Sequence, residues 1–296
     1  MFKTDQAKGL FLTTLGALTI VPDSLFVRLI QADGLVVAFW RAILVGAGIM
    51  LFSLLMKGPD SFKAVFRAGF PGVFYIFVVG LSGVMFIVAV SLTSVANVVF
   101  IIATMPVFAA VFSRIILGEA ISGRMIMTIM AVFPGLAIIA YGSGQNESTS
   151  FAGDLAALSV SMLYALALTM IRKVKAVFMV PAVGMGYFGA GVVLYFFTDP
   201  FSVPLNQTWL VLLHAAFIAA SATFMALGPR YIPSAEVALL ILLESVLAPI
   251  LVWAVVGEDP GAWTLIGGAV VLSALGISNY LALRAARRRP VPPLPH

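Results

Sequence analysis

Charged and titratable side chains are rare in this sequence, yet a few of them lie deep inside long apolar runs. Asp23, Arg41, His214 and Glu244 are the clearest cases. A charged group at the centre of a bilayer costs roughly 2.5–3.5 kcal/mol on insertion scales, so each such group needs a partner or a function. The chemistry that these residues offer is binding of ions, protons or polar solutes.

Glu244 is the deepest of the acids. It lies about nine residues from the nearer end of its apolar segment, or about 14 Å at a rise of about 1.5 Å per residue. That depth is close to the middle of a bilayer. Two interpretations remain open: a site for a substrate amine or a proton, or a protonated structural carboxyl bonded to a neighbouring helix.

Asp23 and Arg41 lie at matching depths in consecutive antiparallel segments, about 9 and 10 Å below the outer ends of their helices. Pro22 removes a backbone donor just before Asp23 and predicts a kink there. The two charges are expected either to form a buried ion pair or to contact substrate directly. His214 could relay protons near neutral pH or act as a hydrogen-bonded packing residue.

Further polar and aromatic side chains are assigned to a central cavity. Tyr75, Phe86 and Tyr164 would supply walls suited to apolar or aromatic groups. A Ser or Thr in a membrane helix commonly bonds its own backbone, so the hydroxyls are weak candidates one by one. The complete predicted set is Thr19, Asp23, Tyr75, Ser82, Phe86, Asn97, Thr104, Tyr164, His214, Ser221 and Glu244.

The elements that must position these residues are membrane helices. Of 296 residues, 62% are hydrophobic and only 10% charged, against about 25% charged in soluble domains. A span needs about 20 apolar residues. The sequence predicts an all-α integral membrane protein with ten transmembrane helices, over residues 9–29, 34–56, 69–91, 94–116, 124–142, 153–172, 180–197, 208–226, 235–256 and 262–282.

The distribution of basic residues predicts the topology. With the N-terminus in the cytoplasm, every one of the 17 Lys and Arg residues except Arg28 and Arg41 falls on the cytoplasmic side. Such a bias is the signature of membrane orientation, and it explains the net charge of +5 without nucleic-acid binding. We expect both termini in the cytoplasm and a bacterial inner (plasma) membrane location.

The two halves of the chain resemble each other. A shift of 139 residues aligns Gly118-Glu119 with Gly257-Glu258 and Tyr141 with Tyr280. Each copy contains five helices, an odd number, so the second copy must enter the membrane inverted. Inverted repeats are typical of secondary transporters. We expect one repeat over 1–142, a second over 153–283, and a basic cytoplasmic tail over 284–296.

Three motifs resemble the drug/metabolite transporter (DMT) superfamily, EamA type. They are Phe39-Trp40-Arg41-Ala42, the run Met105 to Ala110 leading to Gly118-Glu119, and Glu244 leading to Gly257-Glu258. Within the superfamily the chain is most similar to YddG-like exporters of aromatic and other amino acids. It departs from the family pattern at Pro22-Asp23, where an aromatic-glycine pair is usual, and at Ser245, where proline is common.

The resemblance implies a secondary transporter that exports small organic solutes, amino acids foremost, by alternating access. Exporters of other metabolites or drugs remain an alternative, and a membrane enzyme acting on a lipid-linked substrate is a more distant one. The sequence contains no cysteine and shows no catalytic motif, so we expect no enzymatic activity, no cofactor and no metal. The expected partners are a small-molecule substrate and the lipid bilayer; nucleic acid is not expected, and a monomer is compatible with the sequence.

Overall fold

The computed structural model describes residues 5–145, 149–174, 177–227, 231–232 and 234–287. Within them all regular structure is helical. The helices are α1 (Asp5–Ile20), α2 (Asp23–Leu29), α3 (Gly34–Lys57), α4 (Asp60–Arg67), α5 (Phe70–Leu92), α6 (Val95–Ile102), α7 (Met105–Leu117), α8 (Gly123–Ser143), α9 (Phe151–Lys173), α10 (Val180–Tyr195), α11 (Thr208–Leu227), α12 (Ser234–Val256) and α13 (Ala262–Arg287).

Eight helical segments in the described part of the chain are long and apolar enough to cross a membrane, and two shorter apolar helices accompany them. The shorter pair are Val180–Tyr195 and Leu240–Val256. Together they match the ten predicted segments, which confirms the all-α membrane fold class. Of the predicted basic tail, residues 288–296 lie outside the described residues, as do Lys3, Lys175 and Arg230.

Successive spans alternate in direction, so the connections fall on two faces. We call the face where α1 begins the first face, and the face reached at residues 30–33 the second face. The second face also carries residues 93–94, 144–145, 149–150, 196–207 and 257–261. Contacts between loops agree with this grouping: the backbone N–H of Gln31 donates to Oε1 of Gln207 at 2.7 Å.

Two of the predicted continuous spans are broken in the middle. The first is divided into α1 and α2 at Val21-Pro22, where the missing proline N–H ends the helix as the sequence indicated. The fourth is divided into α6 and α7 at Ala103-Thr104, with Pro106 in the first turn of α7. The sequence predicted a single helix over 94–116, and the break there is a correction.

Helix α4 was not predicted. It is a short, strongly amphipathic segment that follows α3 on the first face, with Val65 buried and Phe66 exposed. Its Lys63 Nζ lies 3.0 Å from Oδ1 of Asp60, and this hydrogen bond lowers the pKa of that carboxyl. Eight residues are too few for a span, which is why a search for long apolar segments passes over it.

The packing of the helices is symmetric between the two halves of the chain. The second spans of the two halves, α3 and α10, pack on each other, and so do the fifth spans, α8 and α13. The third span of each half packs on the first span of the other half, as α5 on α9 and α11 on α1. Glycines bring the first two pairs into backbone contact: a Cβ on Gly46 would meet the backbone of Phe188, and Gly135 and Gly267 would each meet the other's carbonyl oxygen. Small residues permit this close approach between membrane helices.

Candidate functional site

A group of buried charged and polar side chains lies where α2, α3 and α11 meet. Nη2 of Arg41 donates to Oδ2 of Asp23 at 2.7 Å, and Nε donates to Oδ1 at 3.2 Å. Nε2 of His214 lies 2.6 Å from the same Oδ1. All three side chains are no more than 3% exposed. One carboxylate is therefore shared between a guanidinium and an imidazole, and all three groups are buried.

The break in the first span positions this carboxylate. Helix α1 ends at Ile20, and Pro22 precedes Asp23, the first residue of α2. An acid in the first turn of a helix is favoured by the unpaired N–H groups there. Arg41 extends from the second turn of α3 and His214 from the second turn of α11, so both can reach the start of α2.

Aromatic rings enclose the charged group. The guanidinium carbon of Arg41 lies 5.4 Å from the ring centroids of both Phe86 and Tyr187, within the range of a cation–π contact. The ring of Phe26 stacks on His214 with centroids 5.4 Å apart. Phe86, predicted to line a central cavity, lies against Arg41; its role as a cavity wall stays a prediction. Tyr187 was not predicted, although a tyrosine in the middle of the glycine-rich seventh span was a usable signal.

Glu244 lies on α12, partly exposed, within electrostatic range of Asp23 and Arg41. Among the described residues it forms no hydrogen bond and no ion pair. Tyr164 also lies within electrostatic range of Arg41, Asp23 and Glu244. Tyr75 lies within electrostatic range of Tyr187. The carboxyl of Glu244 is therefore the one acid of this group that is left without a directly bonded partner in the described part of the chain.

The predicted hydroxyl residues are mostly satisfied by nearby backbone. Oγ1 of Thr19 donates to the carbonyl of Leu15 at 2.7 Å, and Oγ of Ser82 donates to Val79 at 2.8 Å. Ser221 donates across to Gly16 on α1 at 2.8 Å. Such bonds leave little capacity for a ligand.

Thr104 lies at the break between α6 and α7. Its Oγ1 donates to the carbonyl of Ile101 at 2.6 Å and lies 3.2 Å from Oγ of Ser161 on α9. The hydroxyl is fully buried. It therefore ties the broken span to α9 and makes none of its hydrogen bonds with the charged group.

Asn97 belongs to a second polar network. It lies in the first turn of α6 at the second face, where Nδ2 donates to Asp154 at 2.9 Å and to Ser143 at 2.7 Å. Asp154 also accepts from Thr93 at 3.0 Å, and Thr264 donates to Asn97 Oδ1 at 2.6 Å. The sequence placed Asn97 near mid-depth and gave Asp154 no role. An acid four residues after Ser150, the cap of α9, was the available signal.

The fold and this buried charged group define a class, the polytopic membrane transporters. The model of the EamA-like transporter family matches residues 7–141 and 151–280. The chain therefore belongs to the EamA family of the DMT superfamily. A search of the curated proteins found no match.

A solved structure described as "Crystal structure of protein" shares this fold. Its TM-score is 0.65 at 15% sequence identity, and the match covers 94% of this chain and 99% of that one. At this identity the likeness shows the fold alone.

Proposed function

We propose that the chain exports small organic solutes, foremost aromatic and other amino acids, by alternating access, as its resemblance to the YddG-like members of its superfamily suggests. The observation that carries the proposal is the buried Asp23–Arg41–His214 group together with the carboxyl of Glu244, which lies within electrostatic range of Asp23 and Arg41 and has no bonded partner among the residues that the structure describes. A low-dielectric site stabilises an ammonium group only if it offers an anionic or acceptor partner. Glu244 would supply that partner.

The other end of a zwitterion would meet Arg41. Its guanidinium has five N–H donors; Asp23 accepts two of them at hydrogen-bond distance, and Nη1 is 3.5 Å from the carbonyl of Gly83. Donors remain for a substrate carboxylate. The rings of Phe86 and Tyr187 flank the same guanidinium and would contact the substrate's apolar part.

The site draws on both family-matched segments. Asp23, Arg41 and Phe86 come from the first, and His214 and Glu244 from the second. We propose that the segments 1–142 and 153–283 are inverted repeats that move against each other around this group.

The distribution of basic residues supports a cytoplasmic first face and a bacterial inner-membrane location. A monomer contains the whole site.

Counterflow in proteoliposomes tests the proposal. Proteoliposomes that contain the purified protein are loaded with an unlabelled amino acid. Uptake of the same amino acid in labelled form is then measured and compared with uptake into protein-free liposomes. Matched analogues lacking the amino group or the carboxylate replace the amino acid in parallel. We expect saturable counterflow with one or more intact amino acids and loss of it with both analogue types. Absence of counterflow across the panel, with correctly inserted protein, would refute the substrate class.

A further inference from the structure

An ion pair joins several helix ends on the second face. Nε of Arg28, in the last turn of α2, lies 2.7 Å from Oε2 of Glu258, which follows α12. Nη2 of Arg28 donates to the carbonyl of Thr93 at 2.8 Å. Oε1 of Glu258 accepts from the backbone N–H of Val95 at 2.6 Å. The pair thus connects the end of the first span, the α5–α6 turn and the α12–α13 turn.

A second ion pair joins helix ends on the first face. Nη2 of Arg172, in the last turn of α9, donates to both carboxylate oxygens of Glu119, at 2.6 and 2.8 Å. Nη1 donates to Oγ of Ser113 on α7 at 3.0 Å. This pair connects the end of the sixth span to the α7–α8 turn.

The two pairs occupy equivalent positions in the two segments. Each glutamate directly follows a glycine with positive φ, Gly118 at 71° and Gly257 at 76°. Each arginine is the residue before the last of its helix, where the helix dipole favours a cation. Each pair also crosses from one family-matched segment to the other. Because an odd number of spans separates the copies, the pairs fall on opposite faces.

We propose that Arg28–Glu258 and Arg172–Glu119 are the two gates of the transport cycle, each holding its own face closed and opening in alternation. The proposal rests on transport by alternating access and extends it to four residues outside the central site. In this structure both pairs are formed, so both faces are bridged. The side chains of the second-face pair are 23% and 14% exposed, against 46% and 45% for the first-face pair. The less exposed pair is screened less and should hold more firmly.

Accessibility of one cysteine from each side of the membrane tests the gates. Met105→Cys places a single thiol at the start of α7, midway along the fourth span, in a chain with no native cysteine. An impermeant maleimide is applied in right-side-out and inside-out vesicles. Glu258→Gln should raise labelling from the second face, by about tenfold, and Glu119→Gln should raise labelling from the first face by roughly two- to fivefold. Glutamine keeps an acceptor for Val95 N–H, so the turn geometry is retained.

The controls separate gating from simple support of the fold. Lys63–Asp60 is an exposed ion pair on the first face within one helix, so Asp60→Asn should leave both labelling rates unchanged. The charge exchange Arg172→Glu with Glu119→Arg should restore the parent rates. Equal changes from both sides in both gate variants, or no change in either, would overturn the proposal. Labelling requires no substrate, so this result is independent of whether amino acids are carried.

Discussion

Asp23 is bonded to two side chains that lie 18 and 191 residues away along the chain. An ion pair of this kind gains little over apolar packing, but removal of one partner leaves an uncompensated buried charge. Substitution of Asp23 or Arg41 alone is therefore expected to destabilise the protein. The stability effect of this pair is expected to appear in single variants and to diminish in the double variant.

The first prediction is a double-mutant cycle on this pair. Asp23→Ala and Arg41→Ala are each expected to lower the free energy of unfolding by about 3–5 kcal/mol, because each leaves the other charge buried without its partner. The double variant should be more stable than the sum of the two losses implies. Thermal unfolding of the purified variants in detergent measures it. Strict additivity would show that the two charges do not depend on each other.

The second prediction concerns Glu244→Gln. The change keeps shape and hydrogen-bonding capacity but removes the charge, and no bonded partner in the described part of the chain loses an interaction. Thermal stability should stay within about 0.5 kcal/mol of the parent, while counterflow of amino acids should fall at least about tenfold. The matched position in the first repeat, Met105, is already uncharged. Unchanged flux would make Glu244 a packing residue.

At the scale of elements, the Asp154 network joins four helix ends: α6, α8, α9 and α13. The third prediction is that Asp154→Ala destabilises the protein by about 2–4 kcal/mol, because the donors of Asn97, Ser143 and Thr93 lose their acceptor in a buried site. Asp259→Ala, an exposed acid that accepts from the N–H of Gly261, is the matched control. It should cost under about 1 kcal/mol in the same unfolding assay. Equal losses in the two variants would contradict this role.

Sequence reasoning located all ten apolar segments because span length is a local property that lipid imposes directly. It also indicated the break at Pro22, where one residue type removes a donor. It did not indicate the break at Ala103-Thr104 or helix α4, because neither changes the apolar length around it. The contacts of Asp23 with His214 and of Asp154 with Asn97 depend on which helices become neighbours, and that is decided by the packing of the whole chain.

At the scale of the molecule, the fourth prediction is the orientation. Cysteine introduced at position 63 lies on the first face, and cysteine at position 259 on the second. If the first face is cytoplasmic, an impermeant thiol reagent should label position 259 in intact cells and position 63 only after permeabilisation. The native chain contributes no background because it contains no cysteine. The reverse pattern would show that the first face lies outside the cell and the second face in the cytoplasm.

The glycine contacts between α3 and α10 and between α8 and α13 have a mechanical consequence. Gly135 and Gly267 each pack against the other's carbonyl oxygen, and the side chains of Val271 and Ile139 fill the space beside them, so neither position has room for a larger residue. Each of these pairs is formed by the same-numbered helix of the two repeats, so both contacts lie where one repeat packs on the other. If the repeats move against each other as proposed, we expect these closely packed contacts to shift less than the helix ends far from them.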